Sequence, residues 1–325
     1  DFIQEFRTEF EEFSDLIDRS TFLRYLCYLH GTELRKGAIE EVGPNTLENM
    51  KVTWQAKSQF KSGLRKAFET ARAVGFTDKT FDSSSILALI GRFYYESNAK
   101  VDEKNKSEIL RFLSLCILLN DAYDIKRRSK ARKMSQAMHS AEDEEATFAD
   151  YDVFPTDIIL AKSNIYPSAE AISDFIKNAR YDVSSEDDRS VFKTEDAAAV
   201  LGLLTGTFEV LELTKYDVDH IYPQDKVKVI ESACSRDIDI HRIGNLQLLQ
   251  ASHNRSSDRK GNKLPDEWVT SLSASSLQLL VDENHYPVDG LGVEAFTEAL
   301  SPEKYEQFVS DRENRLIEHL VNELC

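Results

Sequence analysis

The sequence predicts a mainly α protein of the α+β kind. Its order is a helical domain, a small region with two short strands, and closing C-terminal helices. Three observations carry that reading. Apolar residues recur at helical spacing over most of the 325 residues. Only two short segments, 218–222 and 245–249, have the length and the β-branched, aromatic or leucine-rich character of buried strands. No internal repeat or low-complexity tract interrupts the pattern.

The elements follow in order. Residues 1–30 read as helix, with Phe2, Phe6, Phe10, Phe13, Leu16 and Ile17 near helical spacing. The chain breaks over 31–44. Residues 46–74 form a second long helix, with Met50, Trp54, Phe60, Leu64 and Phe68 on its apolar side. Helices at 83–98 and 104–119 follow, and the second is so apolar that it belongs at the centre of a core. The acidic stretch 141–150 reads as loop. Pro167 begins a helix that runs through Ile176. The polar stretch 181–191 reads as a linker, and 196–204 as a helix.

Strand 218–222 comes next, ended by Pro223, which has no N–H for a ladder. The charged, mixed stretch 224–242 reads as a long excursion loop. Gly244 opens the second strand, 245–249. A helix starts at Ala251 or Ser252 and runs to about Arg259, stopped by Gly261 and Pro265. The segments 271–281, 293–300 and 302–324 close the chain as helices. The expected domains are 1–205, 206–270 and 271–325.

Composition narrows the class. Hydrophobic residues make up 41% and charged residues 30%, an ordinary balance for a globular protein. No apolar run approaches a membrane span, so no membrane association is expected. Cys27, Cys116, Cys234 and Cys325 are scattered, with no Cys-x-x-Cys pair. That argues against a disulfide framework or structural zinc and fits the reducing cytoplasm. The net charge of −17 argues against non-specific coating of nucleic acid. Two basic clusters stand against it. One is Lys126, Arg127, Arg128, Lys130, Arg132 and Lys133; the other is Arg255, Arg259, Lys260 and Lys263. Such groups neutralise phosphates. The first run also has the plain reading of a solvated helix face.

The chemistry concentrates in 217–265. Asp217-Val218-Asp219-His220-Ile221-Tyr222-Pro223 stands first, Ile243-Gly244-Asn245-Leu246 second, and Ser252-His253-Asn254-Arg255 third. Cutting a phosphodiester needs a nucleophile made from water and positive charge near the scissile phosphate. Histidine suits the first task, since its ordinary pKa lies near neutrality. A divalent metal suits the second. Magnesium takes oxygen ligands, only one or two of them from protein, and Asp219 with Asn254 fits that sparse demand.

This pattern resembles the HNH, or ββα-metal, nucleases. The block from Asp217 to Gln224 is very close to that of RNA-guided CRISPR nucleases, and Asn254 follows Asn245 at the spacing of the HNN variant. The resemblance implies that Asp219 and Asn254 hold Mg2+ or Mn2+ and that His220 is the general base. It implies that Asn245 ties the loop to the strand and helps orient His220. His253 is the alternative ligand. Asp217 reads either as a group that orients His220 or a metal water, or as a strand-edge carboxylate. His241 reads as a loop histidine.

The stretch 243–268 also resembles the C-terminal nuclease of GmrSD-type restriction proteins and SspE-like phage-defence proteins. Residues 111–134, 197–204 and 308–324 resemble the helical segments that flank it. What this implies is a metal-dependent endonuclease that nicks DNA in restriction of foreign or modified DNA. The alternative is a non-catalytic DNA-binding or protein-interaction scaffold that keeps the fold. In that family an N-terminal ParB-related domain carries an Asp-Gly-Gln-Gln-Arg type motif and handles nucleotide. The motif does not occur here, and the chain opens on Asp1. The expectation is a C-terminal portion, with the nucleotide-hydrolysing domain or subunit outside this chain.

Overall fold

The structure is a computed structural model. It describes residues 8, 10–13, 21–31, 44–73, 84–125, 127–138, 147–180, 201, 216–234, 237–250, 263–269, 273, 285–286 and 301–325. Helices dominate, with one two-stranded sheet among the described residues. The chain falls into two compact units, Asp1–Pro167 and Ser168–Cys325.

The first unit contains α1 (Thr21–Leu29), α2 (Pro44–Gln55), α3 (Lys57–Ala73), α4 (Ser84–Ser97), α5 (Glu103–Leu118), the single turn α6 (Asn120–Tyr123), α7 (Arg128–Ala137) and α8 (Thr156–Lys162). The long helix expected over 46–74 is bent at Ala56. Its hydrogen bonds run on through the bend, from Ala56 N to Val52 O at 3.0 Å and from Phe60 N to Ala56 O at 3.3 Å.

Sequence spacing put 104–119 at the core, and α5 is indeed buried along its C-terminal half. The place is shared with α4, in which every residue from Ser85 to Tyr94 is buried. A β-carbon on Gly63 of α3 would lie 2.9 Å from the Gly91 carbonyl of α4, so only glycine permits this crossing. Buried Arg92 on α4 donates to Glu96 at 2.6 Å, to the Ser135 carbonyl, and to Met138 O at 2.9 Å. The expected helix over 1–30 is described in part, as a 3-10 turn at Glu11–Phe13 and as α1.

The second unit contains α9 (Ala169–Asn178), β1 (Tyr216–His220), α10 (Gln224–Cys234), β2 (Leu246–Gln250), α11 (Pro265–Val269) and α12 (Pro302–Leu324). β1 and β2 pair antiparallel, with Asp217 opposite Leu249, Asp219 opposite Gln247 and His220 opposite Leu246. Two strands alone are marginal in water. Here they lie against a core of Ile221, Tyr222, Val227, Ile240, Leu249, Trp268, Tyr286, Tyr305, Phe308 and Val309.

The C-terminal helix falls where the sequence put it. The Ser301 hydroxyl caps it by accepting from Lys304 N, and Tyr305, Phe308, Val309, Arg312, Leu316, Leu320 and Leu324 form its buried stripe. No described helix is long and apolar enough to cross a membrane.

One expectation fails. Residues 224–242 are not a single loop, because Gln224–Cys234 is helical. The Pro223 carbonyl accepts from Lys226 N and Val227 N at 3.1 Å each and starts the helix. Its apolar anchors are few, with Val227 buried and Ile230 half-buried against the core. That stripe is too thin to register as helical periodicity. The strands are each shifted slightly, β1 beginning at Tyr216 and β2 ending at Gln250. The helix expected at 251–259 lies outside the described residues, as do 181–191 and 293–300. Of 196–204 and 271–281, only Leu201 and Ser273 are described.

Candidate functional site

The site grows from the end of β1. His220 is the last strand residue, and the chain bends at Ile221 and Tyr222 before Pro223 opens α10. Asn245 fixes that bend from a buried 3-10 turn, Ile243–Asn245. Its Oδ1 accepts from Tyr222 N at 2.9 Å. Its Nδ2 donates to Tyr222 O at 3.3 Å and to Ile240 O at 3.0 Å, and its carbonyl accepts from Ile221 N at 2.8 Å. A fully buried amide bonded at both ends is a rigid staple. It joins the strand end, the incoming loop and the start of β2. Asn245 therefore acts on His220 through the backbone of the two residues that follow it.

His220 is half-buried. The Gln224 amide nitrogen, on the first turn of α10, lies 3.4 Å from His220 Nε2. The ring of His241 stands edge-on at 5.4 Å between centroids. His241 belongs to a turn, as expected, but the turn brings it to the candidate base.

Asp219 is half-buried one residue earlier, on the strand face shared with Gln247. Its Oδ2 accepts from Gln247 Nε2 at 2.9 Å, and Gln247 Oε1 accepts from Tyr286 Oη at 2.5 Å. Pleating turns neighbouring side chains to opposite faces of a strand. Asp219 and His220 can therefore serve one centre only beyond the end of β1, where the ladder stops.

The frame behind the strands is polar and buried. Arg312 Nη1, from α12, donates to the carbonyls of Ile243 and Gly244 at 3.0 Å each and of Leu246 at 2.6 Å. Burial pulls its pKa down to about 10, with Tyr286 and Glu313 opposing, so it is charged at neutral pH. Arg242 forks onto Glu313, at 3.1 and 2.5 Å, and reaches Glu306 at 2.7 Å. At Gly244 a β-carbon would meet the Val309 carbonyl at 2.3 Å. The turn before β2 thus sits directly on α12.

The remaining expected residues divide. Asn254, His253, Arg255, Arg259 and Lys260 lie outside the described residues. Asp217 sits on β1 opposite Leu249. Lys263 is half-buried just before α11. In the first unit, exposed Arg127 pairs with Asp124 at 3.2 Å, and Arg128 opens α7. Lys130 donates to Ser163 O at 3.1 Å and lies over the Tyr123 ring.

Sequence reasoning missed Gln247, Tyr286, Arg312 and Gln224. A polar residue inside a leucine strand was the one visible signal, at Gln247. Tyr286 and Arg312 gave none, since both lie far along the chain.

Hard-oxygen chemistry fits what is present. Asp219 is a carboxylate held by an amide donor, and His220 follows it in the chain. Among the described residues no three His, Cys, Asp or Glu side chains converge. A magnesium-type site needs only one or two protein ligands. No curated protein matches the chain. Residues 159–284 match the family described as GmrSD restriction endonucleases, C-terminal domain. Over that stretch, which holds both strands and the Asp219–His220 pair, the chain resembles the C-terminal nuclease region of GmrSD-type restriction proteins.

Proposed function

We propose that this chain is a divalent-metal-dependent endonuclease of the HNH type that nicks DNA, in restriction of foreign or modified DNA. The observation that carries the reading is the strand end itself. A half-buried carboxylate, Asp219, is held by a buried amide, and the next residue is a histidine followed by two residues whose backbone Asn245 staples. The match to a restriction-endonuclease family over 159–284 supports DNA as substrate.

In this reading His220 takes a proton from water as the general base. The oxygen of that water attacks phosphorus in line, and the bond to the 3′ oxygen breaks. Asp219 and Asn254 would hold Mg2+ or Mn2+, with His253 the alternative to Asn254. When bound, the ion supplies Lewis-acid stabilisation of charge on the leaving oxygen. Asn245 and Gln224 keep His220 in place. Arg255, Arg259, Lys260 and Lys263 contact phosphates beside the motif, and Arg127, Arg128 and Lys130 offer a second basic run. One such site cuts one strand. A ParB-like nucleotide-hydrolysing domain or subunit would act with it from outside this chain.

The test is plasmid nicking with Mg2+ or Mn2+. His220→Ala is expected to lose at least about 100-fold in rate while keeping its fold. Equal nicking by the variant would overturn the assignment. Asn254→Ala and His253→Ala, compared side by side, identify the second ligand. A non-catalytic scaffold predicts salt-sensitive DNA binding with no metal-dependent turnover.

A further inference from the structure

Gln247 is wholly buried in β2, directly opposite Asp219. Burying a carboxamide costs free energy unless both of its ends are bonded. Here both are. Nε2 donates to Asp219 Oδ2 at 2.9 Å, and Oε1 accepts from Tyr286 Oη at 2.5 Å. The carboxylate settles which end of the amide faces it, because an ionised carboxylate only accepts and so takes the N–H group. The phenol hydroxyl then donates to Oε1 and holds the other end of the amide in place. Without that hydroxyl the buried Oε1 loses this bond and the amide is held at one end only.

Tyr286 is itself fixed. It is fully buried, and the charged Arg312 guanidinium lies 5.9 Å from its ring centroid. Burial pushes its phenol above the usual range, with the Arg312 guanidinium opposing and the Asp219 carboxylate adding to the rise. The relay thus runs from the anchored core to a half-buried carboxylate at the strand end.

From this geometry we infer that Gln247 and Tyr286 are positioning residues for cation binding, fixing the Asp219 carboxylate in the orientation that holds the divalent metal. This rests on the reading of Asp219 as a metal ligand. A site built on one or two protein ligands gains most from such outer partners, because few bonds hold each ligand still. Tyr286 lies two residues beyond the family match, and Gln247 lies inside it. The relay would tie the matched region to the helical tail.

The experiment is a calorimetric titration of the full chain with Mn2+ and no nucleic acid. Tyr286→Phe keeps the buried ring and deletes one hydroxyl. It is expected to weaken Mn2+ binding roughly 10- to 100-fold. Gln247→Met, of similar volume, is expected to act in the same direction. Unchanged Mn2+ affinity in both variants would overturn the inference. So would a lower melting temperature without any change in the dissociation constant, which is the mark of a merely structural role. Asp219→Ala separates the two layers. If it binds Mn2+ like the parent, Asp219 is no ligand, and the inference falls with the reading it rests on. If it loses binding while Tyr286→Phe and Gln247→Met keep it, only the positioning role falls.

Discussion

The interiors of the two units are built differently. In the first, α4 is buried from Ser85 to Tyr94 among edge-on aromatic rings, with buried Arg92 as a polar tie to Ser135 and Met138. In the second, the four residues that define the turn and ribbon, Asn245, Gln247, Arg312 and Glu313, are polar and almost wholly buried. Apolar packing is non-directional and fills volume. Hydrogen bonds are directional and set register and rotamer. In a two-stranded ribbon with His220 at its end, a one-residue slip would turn each side chain to the other face.

Substitutions in the two interiors can break that comparison. The largest effect is expected from Arg312→Ala, which orphans the Ile243, Gly244 and Leu246 carbonyls and leaves Glu313 short of positive charge. It should cost about 3–5 kcal/mol. Protection from amide exchange, read by mass spectrometry, should be lost across β1, β2 and α12 and retained in α4 and α5. Leu89→Ala in the first unit should cost a similar amount, about 2–5 kcal/mol, with the opposite map. Identical maps for the two variants would mean that the interiors are not separate cooperative units.

A smaller effect is expected at Gly244. Gly244→Ala forces a methyl toward the Val309 carbonyl, and relieving the overlap must shift the turn or α12. The cost should be about 1–3 kcal/mol. Nicking should fall more steeply than stability if the turn positions His220 through Asn245. A proportional loss of both would remove the positioning argument for that turn.

The smallest effect belongs to Ser301. Its hydroxyl caps α12, and Ser301→Ala should cost about 1 kcal/mol in urea unfolding with nicking unchanged. A loss of nicking there would show that the seating of α12 reaches the strand end directly.

Much of the fold was legible in the chain. α4, α5 and α12 appear within a residue or two of where apolar spacing placed them, because each buries a continuous stripe of one period. The expected strand at 218–222 was found two residues early. Its β-branched and aromatic residues include Ile221 and Tyr222, which are core residues of the bend and not of the ladder. α10 escaped notice because, among the described residues, its anchors in the core are just Val227 and Ile230. The bend at Ala56 left no mark, since no proline or glycine causes it.

The candidate site was read from the same kind of signal. Asp219, His220 and Asn245 announce themselves by residue type and spacing. The structure adds that Asn245 acts by stapling Tyr222 and Ile240. Gln247 looked like one polar residue in a leucine strand until the register set it against Asp219.

The sequence alone determined which residue types are on hand for proton and metal chemistry and where the most apolar helices wind. Both follow from side-chain type and from spacing along a few turns. Tertiary structure decided the partners: Gln247 across the ladder, Tyr286 behind it, and Arg312 on three carbonyls more than sixty positions away. Such bonds form only once the chain has folded back on itself. They depend on distance in space, which has no period in the sequence.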